Sequence, residues 1–296
     1  MIWSIDTMPE QTGKIAIVTG SNIGLGFKIA LELARKNATV ILACRNMEKV
    51  QRAIEQMKQD VPNAKLDAIQ LDLIDPDSIK TFVEQFKRRY QKLDILINNA
   101  GAVNLETLQH TPNGQEMHMA TNHLGHFMLT ALLADMLMRT DNARVVTITS
   151  AMYRYGVIDF DDFKWEKRPY HRMKAYSDSK LANLLFSYQL QKYFERKGAN
   201  TLSLAAHPGL TATDRQQNSG VGGFVGKWIA SPIEKGARSP LLCATAPFVK
   251  GGSFYAPRFQ ARGKPALQTV KDSIITDELA QKLWDYSEEV TGVRFG

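Results

Sequence analysis

Apolar positions along the chain follow two alternating rhythms. Short β-branched runs at Ile15–Thr19, Val40–Ala43, Leu66–Gln70, Ile95–Ile97, Val145–Thr149 and Leu202–Ala205, with a seventh near Ser253–Tyr255, have the length and residue types of buried strands. Between them, Phe27–Lys36, Met47–Gln59, Ile79–Tyr90, Met119–Met138 and Ala175–Lys197 carry apolar residues at helical spacing. Strand–helix alternation predicts a mostly parallel sheet with helices on both faces, and right-handed crossovers make it a doubly wound, Rossmann-type α/β fold of seven strands. No repeat or low-complexity tract divides the chain. A single domain is expected over residues 13–296, behind an N-terminal extension at 1–12. Two stretches break the alternation: an aromatic and acidic one near 151–170, and a Gly-rich one near 214–231 with Phe224, Trp228 and Ile229. Both are expected to act as substrate-covering insertions.

Composition narrows the class little. The apolar runs are strand-sized, so no membrane insertion is expected, and the N-terminus lacks the basic-then-apolar pattern of a signal peptide. Two cysteines, Cys44 and Cys243, are too few for a disulfide framework and fit a reducing, cytoplasmic setting. The net charge of +7 raises nucleic acid as a partner. However, the basic residues lie on helical faces beside acids and without interleaved aromatics, so no nucleic-acid binding is expected. An anionic cofactor or substrate is the simpler destination for that charge.

The first strand ends in Thr19-Gly20-Ser21-Asn22-Ile23-Gly24-Leu25-Gly26, and a helix follows. Glycines at such a turn let backbone N–H groups approach a pyrophosphate, and the helix N-terminus adds a favourable dipole. The spacing G-x-x-x-G-x-G differs from the commoner G-x-G-x-x-G dinucleotide pattern. At the end of the second strand, where an NAD(H) site places an acid, the chain has Arg45. A guanidinium there can fork onto a 2′-phosphate, so NADP(H) is favoured over NAD(H). The plain alternative is a surface arginine opening a helix.

A tyrosine and a lysine four residues apart share a helix face, and a nearby ammonium stabilises a phenolate, lowering a pKa that starts near 10. Four such pairs occur: Tyr170/Lys174, Tyr176/Lys180, Tyr188/Lys192 and Tyr193/Lys197. Ligands of open α/β sheets bind outside the carboxyl ends of the strands, and the helix after the fifth strand runs away from that edge. Tyr188 and Tyr193 would lie roughly 18 and 25 Å further along it than Tyr176. Tyr170 follows Pro169 and is expected at a solvated helix entrance. Tyr176 is therefore preferred, with Tyr170 as the alternative. Ser150 ends the fifth strand and could donate to a substrate oxygen or cap a turn; both readings stand. Asn122, inside an apolar helical pattern, needs a hydrogen-bonding partner or a water to hold. His123, His126 and His207 lack metal-ligand spacing and read as packing or surface residues.

Thr19–Gly26, Asn98-Asn99-Ala100-Gly101 and Tyr176-Ser177-Asp178-Ser179-Lys180 together resemble the short-chain dehydrogenase/reductase superfamily in order and spacing, from about Gly13 to the C-terminus. Asn122-His123-Leu124-Gly125-His126-Phe127 and Ala206-His207-Pro208-Gly209 resemble its retinol-dehydrogenase-like and WW-domain-oxidoreductase-like branch. This resemblance implies catalytic roles for Asn122, Ser150, Tyr176 and Lys180. It implies cofactor contacts at Gly20, Ser21, Asn22, Ile23, Gly24, Gly26, Arg45, Asp72, Leu73, Asn99, Ala100, Gly101, Tyr176, Lys180, Pro208, Gly209, Thr211 and Thr213. Lys180 would also grip the nicotinamide ribose, and Asn122 would hold a water for proton resupply. The implied activity is NADP(H)-dependent interconversion of a carbonyl and an alcohol on an apolar small molecule. Members of the family often form dimers or tetramers, so a homo-oligomer is compatible with the chain. Two rival readings are a C=C reductase of the protochlorophyllide-reductase type and an NADP(H)-binding sensor or scaffold without turnover. One departure is the 26-residue separation of Ser150 and Tyr176, about twice that of many members. The extra segment could wall a substrate pocket or simply pack on its own aromatics.

Overall fold

The computed structural model describes residues 3–209 and 233–296. Its sheet has the order β3-β2-β1-β4-β5-β6-β7-β8. The strands are β1 (Ile15–Thr19), β2 (Thr39–Cys44), β3 (Lys65–Gln70), β4 (Ile95–Asn98), β5 (Arg144–Ile148), β6 (Leu202–Ala206), β7 (Phe254–Pro257) and β8 (Pro265–Gln268). All neighbours are parallel except β7 and β8, which pair antiparallel from Phe254 opposite Gln268 to Pro257 opposite Pro265. The expected seven strands are thus joined by an eighth. It is short, opens on a proline and leaves Leu267 exposed, as suits an edge.

Side chains alternate between the two faces of the sheet, which places a core on each. Along β1, Ala16 and Val18 face one core with α1 (Gly24–Arg35), α2 (Met47–Asp60) and α8 (Arg238–Thr245), which follows the one-turn α7 (Ile233–Gly236). Ile17 faces the other, built on α3 (Pro76–Arg89), α5 (Gly125–Arg139), α6 (Arg172–Arg196) and α9 (Asp277–Thr291). Residues 3–12 are not a loose tail. Met8 is buried in the first core, and Trp3 and Ile5 pack against it.

The helix expected at Met119–Met138 is interrupted. A single turn, α4 (Met117–Met119), leads into a π-turn at Ala120–Leu124 before α5 begins. Gly125 N–H reaches back five residues to the Ala120 carbonyl. A π-turn widens the backbone, and such turns recur at functional sites. Gly125 packs so closely on the β3–α3 loop that a Cβ would lie 2.2 Å from the Leu73 carbonyl oxygen.

The 151–170 segment starts as a 3₁₀ turn (Ala151–Tyr155) and folds back along α6. Phe163 and Trp165 are buried, and Phe163 lies 4.4 Å from the Tyr286 ring of α9. Arg168 sits 3.9 Å over the Trp165 ring and pairs with Asp159, Asp162 and Asp178 at 3.1, 3.4 and 3.4 Å. Asp178, on α6, also accepts the Val157 N–H at 2.8 Å, so the segment is latched to that helix. One guanidinium cannot neutralise three carboxylates. Burial pushes the Asp178 carboxyl up to about 7, against the opposing pull of Val157 N–H and Arg168. Its value in an unfolded chain is about 3.9. Between these values the folded form keeps a proton that the unfolded chain has lost, so stability falls as pH rises through the window and levels off above it. Thermal melts should show this slope, on the order of 1–3 kcal/mol, and Asp178→Asn should flatten it. A variant melting with the parent's pH dependence would rule Asp178 out as its source.

Candidate active site

The carboxyl ends of β1, β2, β4, β5 and β6 carry most of the candidate residues to one edge of the sheet. At the β1 end, Gly20 has φ of +64° and a Cβ there would lie 2.9 Å from Ala100 Cα. A Cβ on Gly26 would lie 2.4 Å from the Gly20 carbonyl oxygen and 2.5 Å from Asn99 Nδ2. Gly24 also has φ of +64°, but a Cβ there would meet nothing within 4 Å, so the turn opens outward at that glycine. Asn99 pins the loop by donating from Nδ2 to the Thr19 carbonyl at 2.8 Å. Ser21 Oγ donates to the Val18 carbonyl, and Ser21 N–H donates to Cys44 Sγ. Gly26→Ala should therefore destabilise the fold by about 1–3 kcal/mol, since backbone rather than a flexible side chain must yield. A lowered melting temperature would register this; an unchanged one would mean the loop relaxes freely.

The N-terminus of α1 is left chemically open. Asn46, Asp75, His171 and Thr276 cap α2, α3, α6 and α9 with side-chain acceptors, whereas Ile23 gives α1 none, and its first turn holds no acid. Uncapped N–H groups at a helix N-terminus, behind an open glycine turn, are suited to the phosphates of a dinucleotide. At the end of β2, the Arg45 side chain is 72% exposed, held only loosely by Asp72 at 3.9 Å. Asn46, not Arg45, opens α2, through its acceptance of Lys49 N–H. Asp72 Oδ1 accepts Ile74 N–H, shaping the turn that presents Leu73. Pro208 and Gly209 follow β6, with Gly209 at φ of +84°. Asn22 and Ile23 lie in the loop after β1, and Ala100 and Gly101 in the loop after β4, at the same sheet edge. Thr211, Thr213 and the 214–231 insertion fall outside the described residues.

The second half of the site is built on α6. Among the four Tyr-x-x-x-Lys pairs, Tyr176/Lys180 is the one brought to Ser150. The Ser150 hydroxyl stands close enough to the Tyr176 phenol to favour its ionised form, and it accepts Met152 N–H at 3.3 Å, so of its two expected roles the turn cap is the one seen. Neighbouring Thr149 instead turns toward α6, donating to the Lys180 carbonyl at 2.7 Å. Lys180 is buried, with Nζ 3.3 Å from the Ile148 carbonyl oxygen and 5.5 Å from the centre of the Tyr176 ring. Burial lowers its pKa to about 8. The expected depression of the tyrosine by lysine is not what governs here. Burial raises the Tyr176 phenol above its usual range, and the Ser150 bond is the influence that opposes it. With desolvation the leading influence, the phenol stays neutral and carries its proton.

Asn122 sits in the π-turn, fully buried and fully paired. Its Oδ1 accepts Ala102 N–H at 2.7 Å, and its Nδ2 donates to Ser179 Oγ at 2.8 Å and the Ala102 carbonyl at 3.2 Å. It therefore ties the β4 loop to α6 between Tyr176 and Lys180. A Cβ on Gly101 would stand 3.0 Å from Asn122 Oδ1 and 3.7 Å from Lys180 Nζ, so a larger residue would crowd this junction.

Tyr170 does stand at the entrance to α6, beside exposed His171, but is itself half-buried. Its hydroxyl donates to the Leu105 carbonyl at 3.1 Å, and its ring meets Trp165 edge-on. Behind Tyr176 lies a group that sequence pattern alone did not single out. Buried Glu116 accepts His118 Nδ1–H at 2.9 Å and caps α4 through His118 and Met119 N–H. The His118 ring presents its edge to Tyr176 with centres 6.1 Å apart. An acid two residues before a histidine at a helix start was the available signal. His123, His126 and His207 are likewise buried rather than at the surface.

The family model for short chain dehydrogenase matches residues 14–221. The chain belongs to the short-chain dehydrogenase family. It is similar to human retinol dehydrogenase 12, 36% identical over 295 residues that span 98% of this chain and 90% of that protein. It is also 34% identical over 300 residues to the WW domain-containing oxidoreductase of Pongo abelii, spanning 97% of this chain and 70% of that one. A crystal structure of an uncharacterized protein from Mycobacterium paratuberculosis superposes with a TM-score of 0.85 at 35% identity, covering all of both chains. These relatives place the dehydrogenase in the retinol-dehydrogenase-like branch. It is an oxidoreductase that acts on CH–OH and C=O groups, on a fold that binds a nicotinamide cofactor. Among its described residues no helix is long and apolar enough to cross a membrane, and no group of side chains is arranged to hold a metal ion.

Proposed function

We propose that this chain is an NADP(H)-dependent oxidoreductase that interconverts an aldehyde or ketone and its alcohol on an apolar small molecule in the cytoplasm. The observation that carries the reading is the juxtaposition of Ser150, Tyr176 and Lys180 at the same sheet edge as the uncapped α1 N-terminus and exposed Arg45. Gly20, Ser21, Asn22, Ile23, Gly24 and Gly26 would hold the pyrophosphate. Arg45 would take the 2′-phosphate, Asp72 and Leu73 the adenine, and Asn99, Ala100 and Gly101 the adenosine side. Lys180 would grip the nicotinamide ribose, with Pro208, Gly209, Thr211 and Thr213 on the nicotinamide side.

When bound, the nicotinamide supplies or accepts the hydride. In the reductive direction Ser150 and Tyr176 hold the carbonyl oxygen, and Tyr176 Oη donates its proton there. The burial that keeps Tyr176 neutral suits it to this acid role. Asn122 keeps α6 and the β4 loop in register, and the second lone pair of its Oδ1, beyond the one given to Ala102 N–H, would hold a water through which the proton is replaced. Two buried free cysteines are in keeping with a reducing compartment. Because Lys180 titrates near 8, reductive turnover is expected to fall as pH rises through that value and the ammonium is lost.

The test is binding of NADPH and NADH to the purified chain, followed by cofactor oxidation against apolar aldehydes and ketones. Preferred binding of NADPH with turnover supports the reading. Binding without turnover on any carbonyl would overturn the catalytic part of it.

A further inference from the structure

His126 lies at the start of α5, with 1% of its surface exposed and both ring nitrogens engaged. Nδ1 lies 3.0 Å from the Asn122 carbonyl oxygen in the π-turn, and Nε2 lies 2.9 Å from Thr19 Oγ1 at the end of β1. A carbonyl only accepts, so Nδ1 carries the proton and Nε2 presents a lone pair to the Thr19 hydroxyl. The Thr19 oxygen accepts Asn99 and Ala100 N–H, both at 2.9 Å, and its one proton has two acceptors in reach, His126 Nε2 at 2.9 Å and the Ile97 carbonyl oxygen at 3.2 Å, of which His126 is the nearer. The opposite tautomer would set a bare Nδ1 against a carbonyl oxygen. Simple space-filling would be served by an apolar side chain, with no polar ring to satisfy. Burial, with the nearby Lys180 charge, holds the ring's pKa down to about 4, so it adds no second cation beside Lys180.

The ring thus joins two halves of the site. On one side is Thr19, from which the glycine turn and the Asn99–Ala100 loop both spring. On the other is Asn122, whose amide holds Ser179 between Tyr176 and Lys180. We propose that His126, as the neutral Nδ1–H tautomer, is a positioning residue that couples the dinucleotide loop to the π-turn carrying Asn122. This inference rests on the reading of the site as an NADP(H) oxidoreductase. His126 touches neither substrate nor cofactor and acts through Thr19 and Asn122.

Two substitutions separate its bonds, because Asn places an amide where Nδ1 stood and Gln places one where Nε2 stood. Asn keeps a donor to the Asn122 carbonyl and loses Thr19; Gln keeps an acceptor for Thr19 and loses Asn122. Phe removes both. NADPH dissociation constants, read by cofactor fluorescence on the full chain, should stay within about twofold for His126→Gln and rise about tenfold for His126→Asn and His126→Phe. At saturating NADPH the order should reverse, with turnover retained by His126→Asn and reduced about tenfold in His126→Gln. A merely structural role would move both readings together in every variant, in step with the melting temperature, and would overturn the proposal. Nitrogen NMR of histidine-labelled wild type gives a reading free of any substrate. A neutral Nδ1–H ring at pH 6 is expected, and an Nε2–H or charged ring would contradict it. If the wild type turns over no carbonyl, the oxidoreductase reading fails, while the tautomer and the binding pattern still decide the role of His126.

Discussion

Tyr176→Phe is expected to lower carbonyl reduction by about 10²–10⁴-fold while NADPH affinity stays within a few fold. The substitution removes one oxygen from a ring that packs edge-on against His118 and faces Lys180, so the shape of the site survives. What disappears is the phenol that, among the described residues, stands at Ser150, and with it the proton for the product alkoxide. Because burial keeps this phenol neutral, the wild type should hold its acid in the working form well above pH 7. Fall-off on the alkaline side should come first from Lys180, near pH 8. Single-turnover measurements with saturating NADPH separate the chemical step from binding. Parent-like turnover in Tyr176→Phe would transfer the acid role elsewhere, and Tyr170→Phe would be the next variant to examine.

Arg45→Glu is expected to weaken NADPH binding about 10–100-fold, the value of one or two charge-assisted hydrogen bonds replaced by repulsion. NADH binding should hold or improve, since an acid at this point can accept from a ribose hydroxyl. The side chain is well placed for so clean a result. It is 72% exposed, it does not cap α2, and its one ion-pair partner among the described residues, Asp72, stands 3.9 Å away. Stability should therefore change little, and a titration of each cofactor by fluorescence reads the effect directly. Equal losses for both cofactors would show that Arg45 does not meet the 2′-phosphate.

Much of this architecture is legible in the sequence for physical reasons. Ile17 and its flanking Ala16 and Val18 alternate between two cores, and such β-branched runs between amphipathic helices leave few folds open. The choice of Tyr176 over Tyr188 and Tyr193 follows from helix rise alone. Tyr188 indeed bonds Asp277, and Tyr193 the C-terminal carbonyl, far from Ser150. Other features leave no periodic trace. The apolar run through Met119–Met138 reads the same whether its turns close at four residues or at five, so the π-turn at Ala120–Leu124 is invisible until the backbone is seen. Strand β8 is four residues long, begins with proline and has no β-branched residue, and so lacks the signature of a strand. Buried polar residues mislead in another way. His126 reads as packing or surface, and His118 draws no notice, because sequence pattern does not tell which oxygen each nitrogen meets. The phenol of Tyr176 differs for a related reason: spacing shows a lysine nearby, but only the fold shows how far the phenol is desolvated.

The most direct measurement follows the hydride itself. NADPH carrying deuterium at the transferable position of its nicotinamide ring is incubated with the protein and an apolar aldehyde or ketone, and the product is analysed by mass spectrometry and NMR. Deuterium is expected on the carbinol carbon, with none transferred by Tyr176→Phe within the same time. Deuterium on a carbon of a reduced C=C bond, or none in any product despite bound NADPH, would contradict it.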